Sequence, residues 1–410
     1  MGLLTKSFSE KAKKDNIKSV GSAADLMHVP TGFDCIDVHG GTVTVNADGE
    51  YVENYGLPMG KMSMVVGNSQ SGKTTLAFQI ADNMALQLNG DAIHVDYERG
   101  TVDHQTRICN VCRISVEDYE SRWTILRKEG MSTEYFKKLI FEIADMKKKL
   151  GPKDLVEWTD LRGNKVKTYP PTIIILDSIP AMKPEEVLNS ADLDSNMVGG
   201  KMASANANLV TSITDKLETF NITVLAINHI TTKIVTNAYA PKKVQLPGLA
   251  DDENLPGGNK MPFMSSHVLR LSSGKELKKD KDYKISGRVS NANFLKSRTG
   301  FNANIKTPMF FHGTYGFSNE LTNLMIFKDA GLLKGSGHGY FFKGHEDHKF
   351  KLGEFSKLYN NDESFQEMFD EVSAEYWQQI LLEKAGLDDE DTSSNDKDSD
   401  FSEYDDEDED

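Results

Sequence analysis

Nine consecutive residues, Gly67 to Thr75, read GNSQSGKTT and satisfy the pattern GxxxxGK[ST]. The chemistry of that spacing is phosphate binding. Backbone N–H groups of the turn and of the following helix N-terminus surround the phosphates, Lys73 brings a cation to the β- and γ-phosphates, and the Thr74 hydroxyl can ligate Mg²⁺. Gly67, Asn68, Ser69, Gln70, Ser71, Gly72, Lys73, Thr74 and Thr75 are thus the candidate nucleotide cradle. Two carboxylates end apolar runs elsewhere. Asp177 closes TIIILD, where a carboxylate reaches the water shell of Mg²⁺, and Glu98 follows AIHVDY, 25 residues after Lys73, where it can polarise an attacking water. An ordinary strand-end surface acid is the lesser alternative for each, and the weaker for Asp177 with its sharper strand. A third run, VLAINH, stops at Asn228 and His229. An isolated strand-end histidine is usually a structural hydrogen-bonding group, but beside a phosphate site Asn228 and His229 can bond the terminal phosphate or the attacking water.

Positioning these groups needs strands that end together. Between Gly56 and Ile230 apolar runs (KMSMVVG, DAIHVDYE, TIIILDS, ITVLAIN) alternate with helical patterns from Lys73 to about Leu88, from about 103 to 150 and from about 201 to 220. That alternation predicts an α/β core with a mostly parallel sheet covered on both faces. LVEWTDLRGNKVKTYPP alternates around a Gly-Asn pair and predicts a hairpin at the core's edge. Beyond Leu269, VLRLSS, GRVSNANFLKSR and IKTPMFFH predict further, antiparallel strands. The organisation expected is an N-terminal arm at 1–28, which a family resemblance and not the pattern itself makes an oligomerisation arm, an ATPase core at 29–317, a small C-terminal domain at 318–386 and a disordered tail at 387–410.

Composition narrows the class. With 410 residues, 38% of them hydrophobic, the chain can bury a large core, and no stretch approaches the roughly 20 apolar residues of a membrane span. Three cysteines build no disulfide framework, and Cys109 and Cys112 lack a second pair for a zinc site. A cytoplasmic protein is expected. The formal charge of −15 is concentrated: Leu387 to Asp410 holds fourteen acids and one lysine, net −13, leaving −2 on the other 386 residues. Such a tail reads as a solubilising end or as a DNA mimic competing for a basic surface.

The stretch GLPMGKMSMVVGNSQSGKTTLAFQ resembles the corresponding part of RecA. The ordered features that follow also resemble RecA and its tailed-phage relatives of the UvsX type: strands ending in Asp-x-Glu, Asp-Ser and Ile-Asn-His, a double glycine after a loop, and a strand with Lys-Ser-Arg. The likeness spans roughly residues 30 to 345. It implies a RecA-like P-loop core using ATP and Mg²⁺, with Glu98 as catalytic glutamate, Asp177 as the Mg²⁺-associated aspartate and His229 as γ-phosphate sensor. Lys296 and Arg298 of FLKSRTG would cross a subunit boundary to the neighbour's γ-phosphate, in the manner of an arginine finger.

The resemblance also implies two mobile DNA-binding loops. The first would run from Ser190 to Met202, with Met197 wedging between bases and Lys201 on a phosphate. The second would run from Thr231 to Asn259, with Lys233, Lys242 and Lys243 near its start and Gly257 and Gly258 closing it. Residues 101–107 lack the aromatic on which the bacterial family stacks adenine, and the 131–170 insertion has no counterpart in the resemblance. The implied function is a DNA-dependent ATPase that forms filaments on single-stranded DNA and pairs it with homologous duplex. A loading mediator and a single-strand-binding protein would be auxiliary partners; the bacterial host's cytoplasm would be the site if the chain is viral. A ring helicase motor and a RecA-like mediator without efficient turnover are the rival readings.

Overall fold

The strand-forming runs collect into one nine-stranded sheet. The computed structural model describes residues 27–190, 195–232, 246–277, 287–299, 305–336 and 339–387. Its sheet contains β1 (Met62–Gly67), β2 (Asp91–Asp96), β3 (Trp123–Leu126), β4 (Thr172–Asp177), β5 (Ile222–His229), β6 (His267–Leu277), β7 (Gly287–Ser297), β8 (Thr307–His312) and β9 (Gly316–Ser318). The spatial order is β9-β8-β7-β6-β1-β5-β4-β2-β3. Every neighbouring pair from β6 to β3 is parallel, and every pair from β6 out to β9 is antiparallel. This is a RecA-like α/β core.

The helices that bear on the site and the core include α1 (Lys73–Leu86), α2 (His104–Cys112), α3 (Val116–Arg122), α4 (Thr133–Lys147), α5 (Ser195–Thr219), α6 (Asn319–Asp329) and α7 (Glu363–Lys384). Alternate strand residues feed two cores. Val65, Ile173, Ile175, Leu225 and Ile227 pack with Leu76, Phe78 and Ile80 of α1 on one face. Met64, Val66, Ile174, Leu176 and Val224 pack with Phe136 and Ile140 of α4 and Leu209 and Ile213 of α5 on the other. Burial on both faces explains the unbroken apolar runs, and each such side chain contributes about 1.5–3 kcal/mol.

Three expectations need correcting. The helical stretch from 103 to 150 is broken by β3, which adds an edge strand beside β2. The first loop is shorter than expected, because α5 begins at Ser195 and so carries both Met197 and Lys201. The described ends of the second loop are not free: Thr231–Thr232 pairs antiparallel with Glu253–Asn254. The Gly-Asn hairpin forms as expected, Val156–Thr159 against Lys165–Thr168.

The 131–170 insertion supplies α4 and this hairpin. Lys147, at the end of α4, is buried with Nζ within hydrogen-bonding distance of the carbonyl oxygens of Pro170 (2.5 Å), Phe220 (3.0 Å) and Asn221 (3.3 Å), tying α4 to the lower end of β5. The elements of residues 318–386 bring Phe327, Phe342, Phe369 and Trp377 into the same buried cluster as α1. Lys233, Lys242, Lys243, the Met197 side chain, most of the N-terminal arm and residues 388–410 lie outside the described residues. Among the described residues no helix is long and apolar enough to cross a membrane.

Candidate nucleotide and nucleic-acid site

Strand register assembles the site. Gly67 is opposite His229 and Asp177 is opposite Asp96, so the P-loop, both carboxylates and the Ile-Asn-His segment meet at the carboxyl ends of the parallel strands. Ligands of open α/β sheets bind at this edge. The loop needs its glycines for space and for backbone conformation. A Cβ on Gly67 would strike the Leu271 carbonyl, and Gly72 has φ +98° with the Phe317 ring 3.1 Å from where its Cβ would be. Leu76 N–H donates to the Gly72 carbonyl (2.9 Å), starting α1 and leaving the preceding amides to the cradle.

Within the loop the buried Lys73 ammonium donates to the Asn68 carbonyl at 2.7 Å. Burial lowers its pKa, and the charges of Glu98 and Asp177 oppose that shift. Asn68, Ser69 and Gln70 are exposed, while Ser71 and Thr75 are buried. Thr74 Oγ1 donates to Asp177 Oδ2 at 3.0 Å. Asp177 Oδ1 is buried without a hydrogen-bond partner. A hydroxyl and an unsatisfied carboxylate oxygen, side by side under a phosphate loop, form a hard-oxygen set that fits Mg²⁺.

Glu98 is brought over by backbone bonds: Tyr97 N–H and Glu98 N–H both donate to the Asp177 carbonyl, at 2.7 and 3.2 Å. Its Oε1 accepts from the Ser178 hydroxyl and lies 2.7 Å from His229 Nε2. Asn228 takes another course. Its side chain accepts from His229 N–H (2.8 Å) and donates to the Pro256 carbonyl (2.9 Å), bracing the base of the second loop instead of facing phosphate. Ile230 N–H donates to the Gly67 carbonyl (3.1 Å), so the strand carrying His229 is bonded to the start of the P-loop.

Other residues that the sequence picked out lie elsewhere. Lys201 pairs with Glu186 at 2.5 Å. Gly257 and Gly258 have φ +92° and +89° and pack against Ile179 and Ala203; Asn206 of α5 donates to the Gly257 carbonyl (3.1 Å). Lys296 and Arg298 sit at the opposite end of the sheet. Lys296 is level with Val268, which is level with Met64. Lys296 Nζ donates to the carbonyls of Pro262 (3.0 Å) and Phe263 (2.5 Å), and Arg298 donates to Phe263 at 2.7 Å. Burial, reinforced by Arg298, pulls the Lys296 ammonium down to about 8.

The structure adds residues with no sequence signal. A cleft of about 430 Å³ is lined by Thr74, Glu98, Thr101, Val102, Arg107 and Asp177, among others. Arg107 donates to Thr75 Oγ1 (2.6 Å) and to the Gly313 carbonyl (2.7 Å). On that same turn the rings of His312 and Tyr315 stack at 5.0 Å. Behind Asp177, the fully buried His94 places Nε2 3.5 Å from Asp177 Oδ2, and its ring lies 5.2 Å from that of His104, which faces Asp96 at 3.3 Å.

No family model matches the chain. It is similar to the RecA protein of Nitratidesulfovibrio vulgaris (strain DSM 19637 / Miyazaki F), 25% identical over 289 residues that cover 70% of this chain and 67% of that protein. RecA of Mycoplasmopsis pulmonis is 24% identical over 336 residues, 80% of this chain and 85% of the relative. RecA of Francisella tularensis subsp. novicida is 23% identical over 329 residues, 79% and 73% respectively. Together with the RecA-like core, these similarities support placing the chain among RecA-type proteins.

Proposed function

We propose that the chain is an ATP-dependent DNA recombinase that assembles into filaments on single-stranded DNA and pairs that strand with homologous duplex. Its Ile-Asn-His and Lys-Ser-Arg segments favour the tailed-phage, UvsX-type branch, acting in recombination, repair and replication within a host cytoplasm. One observation carries the reading: the P-loop and the Lys296–Arg298 pair occupy opposite ends of one sheet. Met64, level with Lys296, lies three residues or about 10 Å along β1 from Gly67, and β6 stands between β1 and the strand that carries the basic pair. A subunit's own basic pair therefore does not reach its own terminal phosphate, whereas a second copy stacked on the first can bring its pair there.

In this reading Thr74 and Asp177 hold Mg²⁺, which supplies charge neutralisation of the phosphates. Lys73 and the loop amides bind the β- and γ-phosphates. Glu98, oriented by Ser178 and His229, takes a proton from the attacking water. Lys296 and Arg298 from the adjoining copy add positive charge as the transition state develops. His229 is two residues from the start of the second loop, so loss of the γ-phosphate loosens the same segment that holds DNA. Contacts to backbone phosphates and base faces suit a protein that accepts any sequence.

Electron microscopy of the full chain with single-stranded DNA and a non-hydrolysable ATP analogue, alongside an ATPase assay with and without DNA, tests this. Helical filaments and DNA-stimulated turnover are expected. Closed hexameric rings would indicate a helicase motor, and filament-free binding without turnover a mediator.

A further inference from the structure

The second loop is held to the core by a charge pair that the phosphate chemistry does not use. Thr232, three residues after His229, pairs with Glu253. The Glu253 carboxylate meets Arg270 of β6 in a two-pronged contact, Nη2 to Oε1 at 2.6 Å and Nη1 to Oε2 at 2.8 Å. Arg270 also donates to the Gly248 carbonyl (3.0 Å), and Ala250 N–H donates to Glu253 Oε2 (2.9 Å). Both side chains are largely shielded, 20% and 17% exposed. Burial pushes the Glu253 carboxyl up, but the hydrogen bonds from Arg270 and Ala250 and the Arg270 charge bring it below its ordinary value. Arg270 lies opposite Val66, one residue before the P-loop.

A guanidinium forms this same fork with a carboxylate and with a phosphate. It stays charged at any working pH, and shielding it from water without a partner is costly. Arg270 therefore leaves Glu253 only for another anion of similar shape. Glu253 belongs to the segment implied to bind nucleic acid, and it carries the sign of a nucleic-acid backbone. We propose that Glu253 masks Arg270 as a phosphate contact: the carboxylate occupies the fork that a backbone phosphate of single-stranded DNA takes when residues 246–254 shift. This rests on the reading that the second loop binds DNA. The run Thr231–Thr232 links the mask to His229, so a change at the terminal phosphate reaches it through two residues.

The test is fluorescence anisotropy of a labelled oligothymidylate with the full chain, with and without a non-hydrolysable ATP analogue, across a salt series and with thermal melts in parallel. The variants are Glu253→Gln, Arg270→Gln and the double variant. Glu253→Gln is expected to bind without nucleotide about tenfold more tightly than the parent, and the double variant to lose that gain. Arg270→Gln with the analogue is expected to bind several-fold more weakly, with a slope of log K against log salt shallower by about 0.7. The proposal is overturned if Glu253→Gln binds like the parent, if its gain survives in the double variant, or if Arg270→Gln leaves affinity and slope unchanged. The last arm stands even where Glu253→Gln fails to fold. Failure of the DNA reading looks different: the parent chain with the analogue then does not bind the oligonucleotide at all.

Discussion

The His229 imidazole and the Glu98 carboxylate are joined at 2.7 Å across the ends of two strands that are not neighbours in the sheet. Glu98 is thereby held on one side by Ser178 and on the other by the residue that leads into the second loop. Glu98→Gln should lower ATP turnover by about 10²–10⁴-fold while nucleotide binding persists. His229→Ala should keep ATP binding and lose the stimulation of DNA binding by ATP. Anisotropy with a labelled nucleotide and a labelled oligonucleotide reads both effects; intact stimulation in His229→Ala would place the switch elsewhere.

His94 stands behind Asp177 with no hydrogen on a closer partner among the described residues. Its ring also packs edge-on against Phe78 at 4.9 Å, so phenylalanine can occupy the space. His94→Phe should fold, yet raise the Mg²⁺ concentration needed for half-maximal turnover by about tenfold, as loss of a partner behind a metal-associated carboxylate does. A Mg²⁺ titration of turnover checks this, and an unchanged midpoint would show that His94 only fills the core.

Gly257 anchors the far side of the second loop. At φ +92°, a Cβ there would lie 2.5 Å from Ile179 Cγ2 and 3.0 Å from Asn206 Nδ2. Gly257→Ala should cost about 1–3 kcal/mol in urea unfolding with an unchanged m-value. A midpoint equal to that of the parent chain would mean that the loop base is not held against α5.

Lys147 offers a pH handle. Burial brings its ammonium down to about 7, although the Asp91 carboxylate opposes the shift. Between about pH 7 and 10.5 the unfolded chain holds this proton and the folded chain does not, so unfolding takes up a proton. The contribution of Lys147 to stability should therefore rise with pH through that window, by up to about 1.4 kcal/mol per pH unit. Lys147→Met should flatten that slope in denaturant titrations from pH 7 to 10; an identical slope would exclude Lys147 as its source.

The phosphate loop, the sheet and the two strand-end carboxylates were legible because each is written in a local pattern: a glycine spacing, an unbroken apolar run, an acid at its end. What was not legible depends on tertiary company. Trp123–Leu126 is four residues between helices, and only its place beside β2 makes it a strand. Gly199 and Gly200 argue against helix, yet α5 runs through both, since packing along the rest of the helix outweighs their propensity. His94 reads as one polar residue in a strand, and Arg107 as one surface cation on a helix; only the folded chain sets them against Asp177 and Thr75. Asn228 was expected to face phosphate, and the structure turns it to Pro256 because its buried amide needs a partner on the loop side.

The central claim is that one nucleotide site is completed by two copies of the chain. Lys73→Ala removes the phosphate cation of a subunit's own loop, and the Lys296→Ala/Arg298→Ala variant removes the pair at the other end of the sheet. Each protein alone should be inactive. The decisive measurement is DNA-stimulated ATP turnover in an equimolar mixture of the two. Random assembly places an intact loop against an intact basic pair at about a quarter of the junctions, so roughly a quarter of the parent activity should return. A mixture as inactive as its components, with both variants folded and assembled, would contradict a shared site.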